Sequence, residues 1–417
     1  MSMKKGFLGR KAAGVENTFL VRVNKIFHDL AAGYSRDRSR TKRWASALLC
    51  VFLQFCSALL TIGMIVGANS LYDFFQRLGS FACFLTVQGM CLFYVLRGRK
   101  LTAMCYKMGE KWMHYQRNVR SPAGIEVLTH CEKKMHLIFY SLSISSFFCF
   151  ISYALYPIFR YHFLNGRKGQ IGYPMKVTVP FESSTNAGFC VYVIMCACIA
   201  YYCILLSTFS TIFLGMFCTL EAAFKLNGIF YARFDFNRPR RAGQRKTKVN
   251  SEHLEDINRR WNVARLVLNI NEHQKLYRVA DGLKSLTRET LLIMYTGAIV
   301  AVAFSSFVFV VAPDRHAQTT TVIVIPSLHI FLFYYMSSRV TLACESTADI
   351  LYSEHMKLVR NGSGVDSKVF MFILMRSQKP VIFEAGRIRK LTLENYVSYL
   401  QNVYSFMTLL YSVNQKS

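Results

Sequence analysis

Hydrophobic residues in this chain fall into seven long runs separated by polar, cation-rich stretches: roughly 44 to 68, 78 to 96, 136 to 159, 188 to 217, 290 to 312, 320 to 338 and 394 to 413. Each approaches or exceeds the ~20 residues a helix needs to cross the ~30 Å hydrocarbon layer of a bilayer, the second and sixth lying at the short end. The pattern predicts an all-α membrane protein with seven transmembrane helices. It divides the chain into an N-terminal segment 1–43, spans one to four over 44–217 with a loop at 160–187, a polar connection 218–289, spans five and six over 290–338, a second polar segment 339–393 and a last span in 394–417. The loop 160–187 is rich in Gly, Pro and β-branched residues and reads as a compact lid.

Helical periodicity also occurs outside the spans. Leu254, Ile257, Trp261, Ala264 and Leu268 recur at helical spacing, as do Leu276, Val279, Leu283 and Leu286. Each set predicts a one-sided helix that must pack on something outside the membrane, either its own subunit or a copy about a symmetry axis. Val369 to Met375 is a shorter candidate of the same kind. Near the start, Phe19, Leu20, Val23 and Phe27 form an amphipathic stretch before the basic cluster Arg36 to Arg43; it fits a helix lying along the inner membrane surface, and charge that serves only to set topology explains the cluster equally well.

The last run differs from the others. Gln401, Ser405, Thr408 and Ser412 recur at i, i+4, i+7 and i+11, which puts four uncharged polar side chains on one face, while Val397, Leu400, Val403, Phe406 and Leu410 occupy the rest. Unsatisfied hydrogen-bonding groups are costly in hydrocarbon, so the stripe needs a neighbouring helix or water. Spacing alone leaves interhelical contact and the wall of a wet pore equally open.

Charge sets the orientation. The formal net charge is +28 with 53% hydrophobic residues. A basic soluble protein would gather its cations on a nucleic-acid-binding face, but here they sit between apolar runs. Of the 51 Lys and Arg residues, 44 lie in 1–43, 97–135, 218–289 and 339–393. The positive-inside rule then places the N-terminus in the cytosol and the C-terminus outside, the reverse of a G-protein-coupled receptor. The first 43 residues lack the apolar core of a cleavable signal, so the first span is expected to direct insertion. The sequon Asn361-Gly362-Ser363 falls on the cytosolic side and is expected to stay unmodified.

No run carries Asp, Glu, Lys or Arg in its interior, which argues against a pump or secondary transporter. His329, inside the sixth run, reads as packing before proton relay. Most of the 13 Cys lie in apolar runs, and Cys196, Cys198 and Cys203 lack metal-ligand spacing, so no cofactor or metal is expected. No phosphate loop, HExxH pair or GxSxG elbow occurs, and the chain does not read as an enzyme. The outer halves of spans two to six supply uncharged aromatic, hydroxyl and thiol groups. A cavity so lined suits a small, apolar, neutral molecule, with Phe81, Phe84, Phe148, Ser152, Tyr156, Tyr192, Cys196, Phe304 and Phe307 as candidate contacts. Taken singly, each of those aromatics also fits ordinary packing.

Several blocks carry a family likeness. INEHQKLYRVADGLKSL before span five, CESTADILYSEHM after span six, and FILMRSQKPVIFEAG followed by TLENYVSYLQNVYSFMTLLYS resemble insect odorant receptors. With the VPF loop before span four, the resemblance covers most of the chain. It implies a tetrameric, odorant-gated, non-selective cation channel in the plasma membrane of a sensory neuron dendrite. The last helix would line the pore, with Leu409 as hydrophobic gate and Val413 and Ser412 beside it. Gln401, Ser405 and Thr408 would face permeating cations. The cytosolic helix extensions would form an inter-subunit anchor, and a volatile ligand would be held in the outer half of the bundle. The loop between spans four and five and the ending YSFMTLLYS resemble a ligand-tuning subunit that assembles with the family's shared co-receptor. Gustatory receptors share the topology and are the second reading, but their final Thr-Tyr and Gln-Phe signature does not occur here. A metabotropic seven-helix receptor is a more distant third.

Overall fold

A computed structural model describes residues 18–31, parts of 51–63, 71–155, 185–232, 251–311, 316–360 and 367–416. Most of the first span, most of the expected lid and Tyr156 lie outside these residues. The elements in order are α1 (Phe19–Ala31), α2 (Leu71–Asn118), α3 (Pro122–Phe150) running into a π-helical turn (Ile151–Leu155), α4 (Asn186–Ala232), α5 (Ser251–Val311), α6 (His316–Arg360), α7 (Ser367–Ser377), a two-stranded hairpin of β1 (Glu384–Ala385) and β2 (Arg389–Lys390), and α8 (Leu393–Lys416). Helices α2 to α6 carry the second to sixth spans, and all five are long and apolar enough to cross a membrane. The stripe on α8 dilutes its apolar character, and α8 is not among them.

At one end of the bundle, where the Lys- and Arg-rich connections lie, the helices run on well past their apolar runs. The 61 residues of α5 measure about 90 Å at ~1.5 Å per residue, roughly three times the hydrocarbon thickness. The sequence pattern suggests two separate one-sided helices before span five, but the structure joins them and the span into one rod. The stretch between them, residues 269–275, holds no Gly or Pro that would break it. Leu276, Val279, Leu283 and Leu286 are buried in the subunit's own core, whereas Leu268 is 65% exposed. The part of α5 nearer the membrane thus folds back on its own chain. On α7, Ile373 and Leu374 are buried with Tyr231 and Leu351, and Met371 and Met375 are exposed.

Helix α1 departs from expectation. Leu20, Val21 and Val23 are buried against α2 and α4, and Asn24 Nδ2 donates to Thr102 Oγ1 at 3.3 Å. As far as residues 19–24, its apolar face is covered by protein. A helix lying on lipid and one docked on a bundle share the same periodicity, so the pattern could not separate them.

Ionic contacts tie the helices together at the basic end. Glu221 of α4 meets Lys134 of α3 at 2.8 Å, Lys225 at 2.7 Å and Arg339 of α6 at 3.1 Å. Lys134 also lies 5.2 Å over the Tyr335 ring, and Arg97 of α2 pairs with Glu289 of α5 at 3.2 Å.

The hairpin before α8 explains why FEAG is so compact a block. Phe383 is fully buried with its ring 4.6 Å from Phe217 of α4. Thr341 of α6 donates to the Val381 carbonyl at 2.8 Å. Gly386 adopts φ +65°, its N–H donates to the Arg288 carbonyl of α5 at 2.8 Å, and a Cβ there would meet Leu292 at 3.2 Å. Gly386→Ala is expected to cost about 1–2 kcal/mol from the left-handed backbone alone, read as a lower melting temperature of the purified protein. An unchanged melting temperature would mean the turn relaxes.

Candidate functional site

Five helices converge on a cavity of about 110 Å³ among the spans. Helix α5 recesses one wall with Gly297, Ala298 and Ala301, which share a face at i, i+1 and i+4. Gly297 is there because α2 approaches closely: a Cβ would fall 1.7 Å from Thr86 Oγ1. Opposite, α6 contributes Ile325, Pro326, His329 and Ile330. Pro326 has no N–H for the Val322 carbonyl and so opens the helix ladder at the cavity wall. The π-helical turn that ends α3 brings in Tyr153, a local winding often found beside functional sites. Phe84, Val87 and Met90 of α2 and Tyr202, Cys203 and Leu206 of α4 complete the enclosure.

Among the described residues no carboxylate, Lys or Arg lines this space. Tyr202 stacks edge-on against Phe84 at 4.7 Å and donates from its hydroxyl to Gln54 Oε1 at 3.3 Å, while Thr86 Oγ1 donates to the Ala82 carbonyl at 2.7 Å. An apolar cavity of about 150 Å³ is known to stay dry and to accept benzene, so this one is of a size for a small uncharged organic guest held by dispersion and shape.

The candidate contacts read from sequence occupy different places. Phe84 lines the cavity, and Phe81, Ser152 and Cys196 are half-buried near it in sequence but not among its lining residues. Tyr192 is buried with its hydroxyl donating to the Ala154 carbonyl. Phe148 is 60% exposed on the outside of α3. Phe304 and Phe307 gather around Phe75, at ring separations of 5.0 and 5.3 Å. Tyr153, Tyr202, Met294, Gly297 and His329, outside that candidate set, line the cavity. The small residues of α5 and Pro326 of α6 were the signals for them in the sequence.

The lining helices also hold α8. Phe304 of α5 meets Phe406 at 5.4 Å, Tyr295 meets Tyr399 at 5.7 Å, and Phe331 and Tyr334 of α6 meet Tyr396 at 5.4 and 5.7 Å. Tyr295 follows Met294, and Phe331 follows Ile330, so α5 and α6 present one face to the cavity and the adjacent face to α8. On α8 itself Tyr399 and Val403 are buried, whereas Gln401, Ser405, Thr408, Leu409, Ser412 and Val413 are exposed. At 3.6 residues per turn the polar stripe is centred roughly 180° from the buried face.

Residues 70–404 match the family described as 7tm Odorant receptor. The chain belongs to that family. Among solved structures, this odorant receptor is similar to the insect olfactory receptor OR5 from Machilis hrabei in complex with eugenol, with TM-score 0.73 and 14% identity over 95% of this chain and 98% of that one. A second structure of OR5 from Machilis hrabei gives TM-score 0.72 and 14% identity over 94% and 97%. No curated protein sequence matches the receptor significantly. The fold is therefore the seven-helix fold of the insect olfactory receptors, and the receptor is a multi-pass membrane protein.

Proposed function

We propose that this receptor is the ligand-tuning subunit of a heteromeric, odorant-gated, non-selective cation channel, assembled with the family's co-receptor in the plasma membrane of a sensory neuron dendrite. Its N-terminus lies in the cytosol and its C-terminus outside, as the distribution of Lys and Arg supports. The observation that carries the reading is the placement of the α8 stripe. Gln401, Ser405, Thr408 and Ser412 are exposed on the side away from the subunit's own bundle. Thr408 and Ser412 donate to the Tyr404 and Leu409 carbonyls of their own helix at 2.8 Å, but in lipid the Gln401 amide and the lone pairs of the hydroxyls would go unmet. Water at an axis shared with other subunits satisfies them. In the same register Leu409 stands beside the stripe, 58% exposed, and Val413, 51% exposed, follows Ser412 one turn on from it, nearer the packed face; a ring of such side chains blocks ions by staying dry.

A small volatile in the cavity would press on α5 and α6, and their aromatic contacts would carry the displacement to α8. Ligand must bind the open arrangement better than the closed one, since equal affinity shifts nothing. Of the candidates Phe81, Phe84, Phe148, Ser152, Tyr156, Tyr192, Cys196, Phe304 and Phe307, two carry roles in this proposal. Phe84 contacts ligand, and Phe304, through Phe406, transmits. The test is Leu409→Ser in the complex with co-receptor, recorded under voltage clamp. Basal current is expected to rise severalfold at equal surface expression. Unchanged basal current and unchanged ion permeability would remove Leu409 from the gate.

A further inference from the structure

The cavity wall holds one buried polar atom with nothing to bond. His329 is 2% exposed. Its Nδ1 lies 2.8 Å from the Ile325 carbonyl, and because a carbonyl only accepts, Nδ1 carries the hydrogen. The other ring nitrogen, Nε2, is buried without a partner. Among the described residues no carboxylate lines the cavity to balance an imidazolium, and an uncompensated buried charge is strongly unfavourable, so Nε2 is a bare acceptor. Of the side-chain nitrogens and oxygens lining the cavity, it alone is buried and unsatisfied among the described residues. Thr86 and Tyr202 spend their hydrogens on Ala82 and Gln54. One turn before His329, the missing N–H of Pro326 leaves the Val322 carbonyl, on the same wall, without its helix donor.

We infer that the odorant is a hydrogen-bond donor, a small volatile alcohol or phenol whose hydroxyl is accepted by His329 Nε2 while its hydrocarbon part fills the apolar space. Esters, ketones and ethers bring a second acceptor and leave Nε2 unsatisfied, and amines and carboxylic acids bring a charge that no lining residue balances. His329 is then a specificity-determining residue. The inference rests on the reading of this cavity as the odorant site.

The experiment compares matched probes on the receptor co-expressed with co-receptor: para-alkylphenols against their methyl ethers, and straight-chain alcohols against methyl ethers of equal length. Wild type, His329→Leu, His329→Gln and Ala298→Phe are recorded, each with surface labelling. Leaving a buried acceptor unmet is worth about tenfold or more in affinity, so donors are expected to act at about tenfold lower concentration than their ethers on wild type. His329→Leu is expected to erase most of that gap by weakening donors and not ethers, and His329→Gln, whose amide oxygen still accepts, to keep it. Equal potency within pairs on wild type, a gap that survives His329→Leu, or a receptor that answers esters or hydrocarbons but no donor would overturn the inference while leaving the cavity reading intact. Responses of Ala298→Phe that match wild type for both probe classes would overturn the cavity reading and the inference together.

Discussion

Ala298→Phe is expected to abolish odorant-evoked current while the receptor still folds and reaches the surface. Ala298 faces the cavity from the recessed wall of α5, between Gly297 and Ala301. The phenyl ring it would gain is the size of the guest that an apolar cavity of about 150 Å³ admits, and the cavity here measures about 110 Å³. The ring therefore occupies the space in place of ligand. The ring fills the space completely and crowds its walls, at an overpacking cost expected to fall within about 1–3 kcal/mol. Concentration–response curves should shift by at least about a hundredfold, equivalent to roughly 2.7 kcal/mol of lost binding. A full-sized response at unchanged odorant concentration would show that ligand binds elsewhere.

The second large effect is expected far from that cavity. Glu221→Gln removes the one anion on which Lys134, Lys225 and Arg339 converge from three helices. The carboxylate side chain is only 5% exposed, and those of the cations are 13%, 32% and 36% exposed. Deleting one member of a buried ionic group costs about 3–5 kcal/mol, largely through the charges left behind, and partial access of water to Lys225 and Arg339 places the value near the lower end. Surface expression should fall steeply, with a melting temperature several degrees lower in detergent. Adding Lys134→Met to Glu221→Met should recover part of the loss, since a packed apolar pair needs no counter-charge. If Glu221→Gln alone leaves both yield and melting temperature at wild-type values, the cluster contributes nothing to holding α3, α4 and α6 together.

Much of this architecture was legible in the sequence, for reasons that differ by element. Long apolar runs locate α2 to α6 because bilayer thickness imposes a minimum length, and spacing located the one-sided stretch Leu276 to Leu286 that the core indeed buries. The continuity of α5 was not legible: periodicity identifies faces, and nothing in it says whether two faces belong to one rod. Nor could spacing place α1, whose apolar side docks on helices about 80 and 190 residues away in sequence (Asn24 near Thr102, Leu20 against Gly215). The cavity was the least legible part. Aromatic residues are the conspicuous signal in the sequence, yet the hollow is made where side chains are small, at Gly297, Ala298 and Ala301, and where backbone regularity lapses, at Pro326 and in the π-helical turn. His329 looked like packing for the same reason. Its significance depends on which neighbours its second nitrogen lacks, and only three-dimensional placement reveals that.

The unbroken course of α5 bears on how such a receptor could change its preferences over generations. The same rod that shapes the cavity at Met294, Gly297 and Ala298 leans on the terminal helix through Tyr295 and Phe304 and runs on through the buried Leu276 to Ser251. A substitution on it alters what fits and, in the same stroke, the leverage with which fitting is reported. Replacements on α2 or α4, at Phe84 or Tyr202, touch only the former. Selection for a new scent without loss of sensitivity would therefore be expected to work chiefly on those walls and to leave the lever alone.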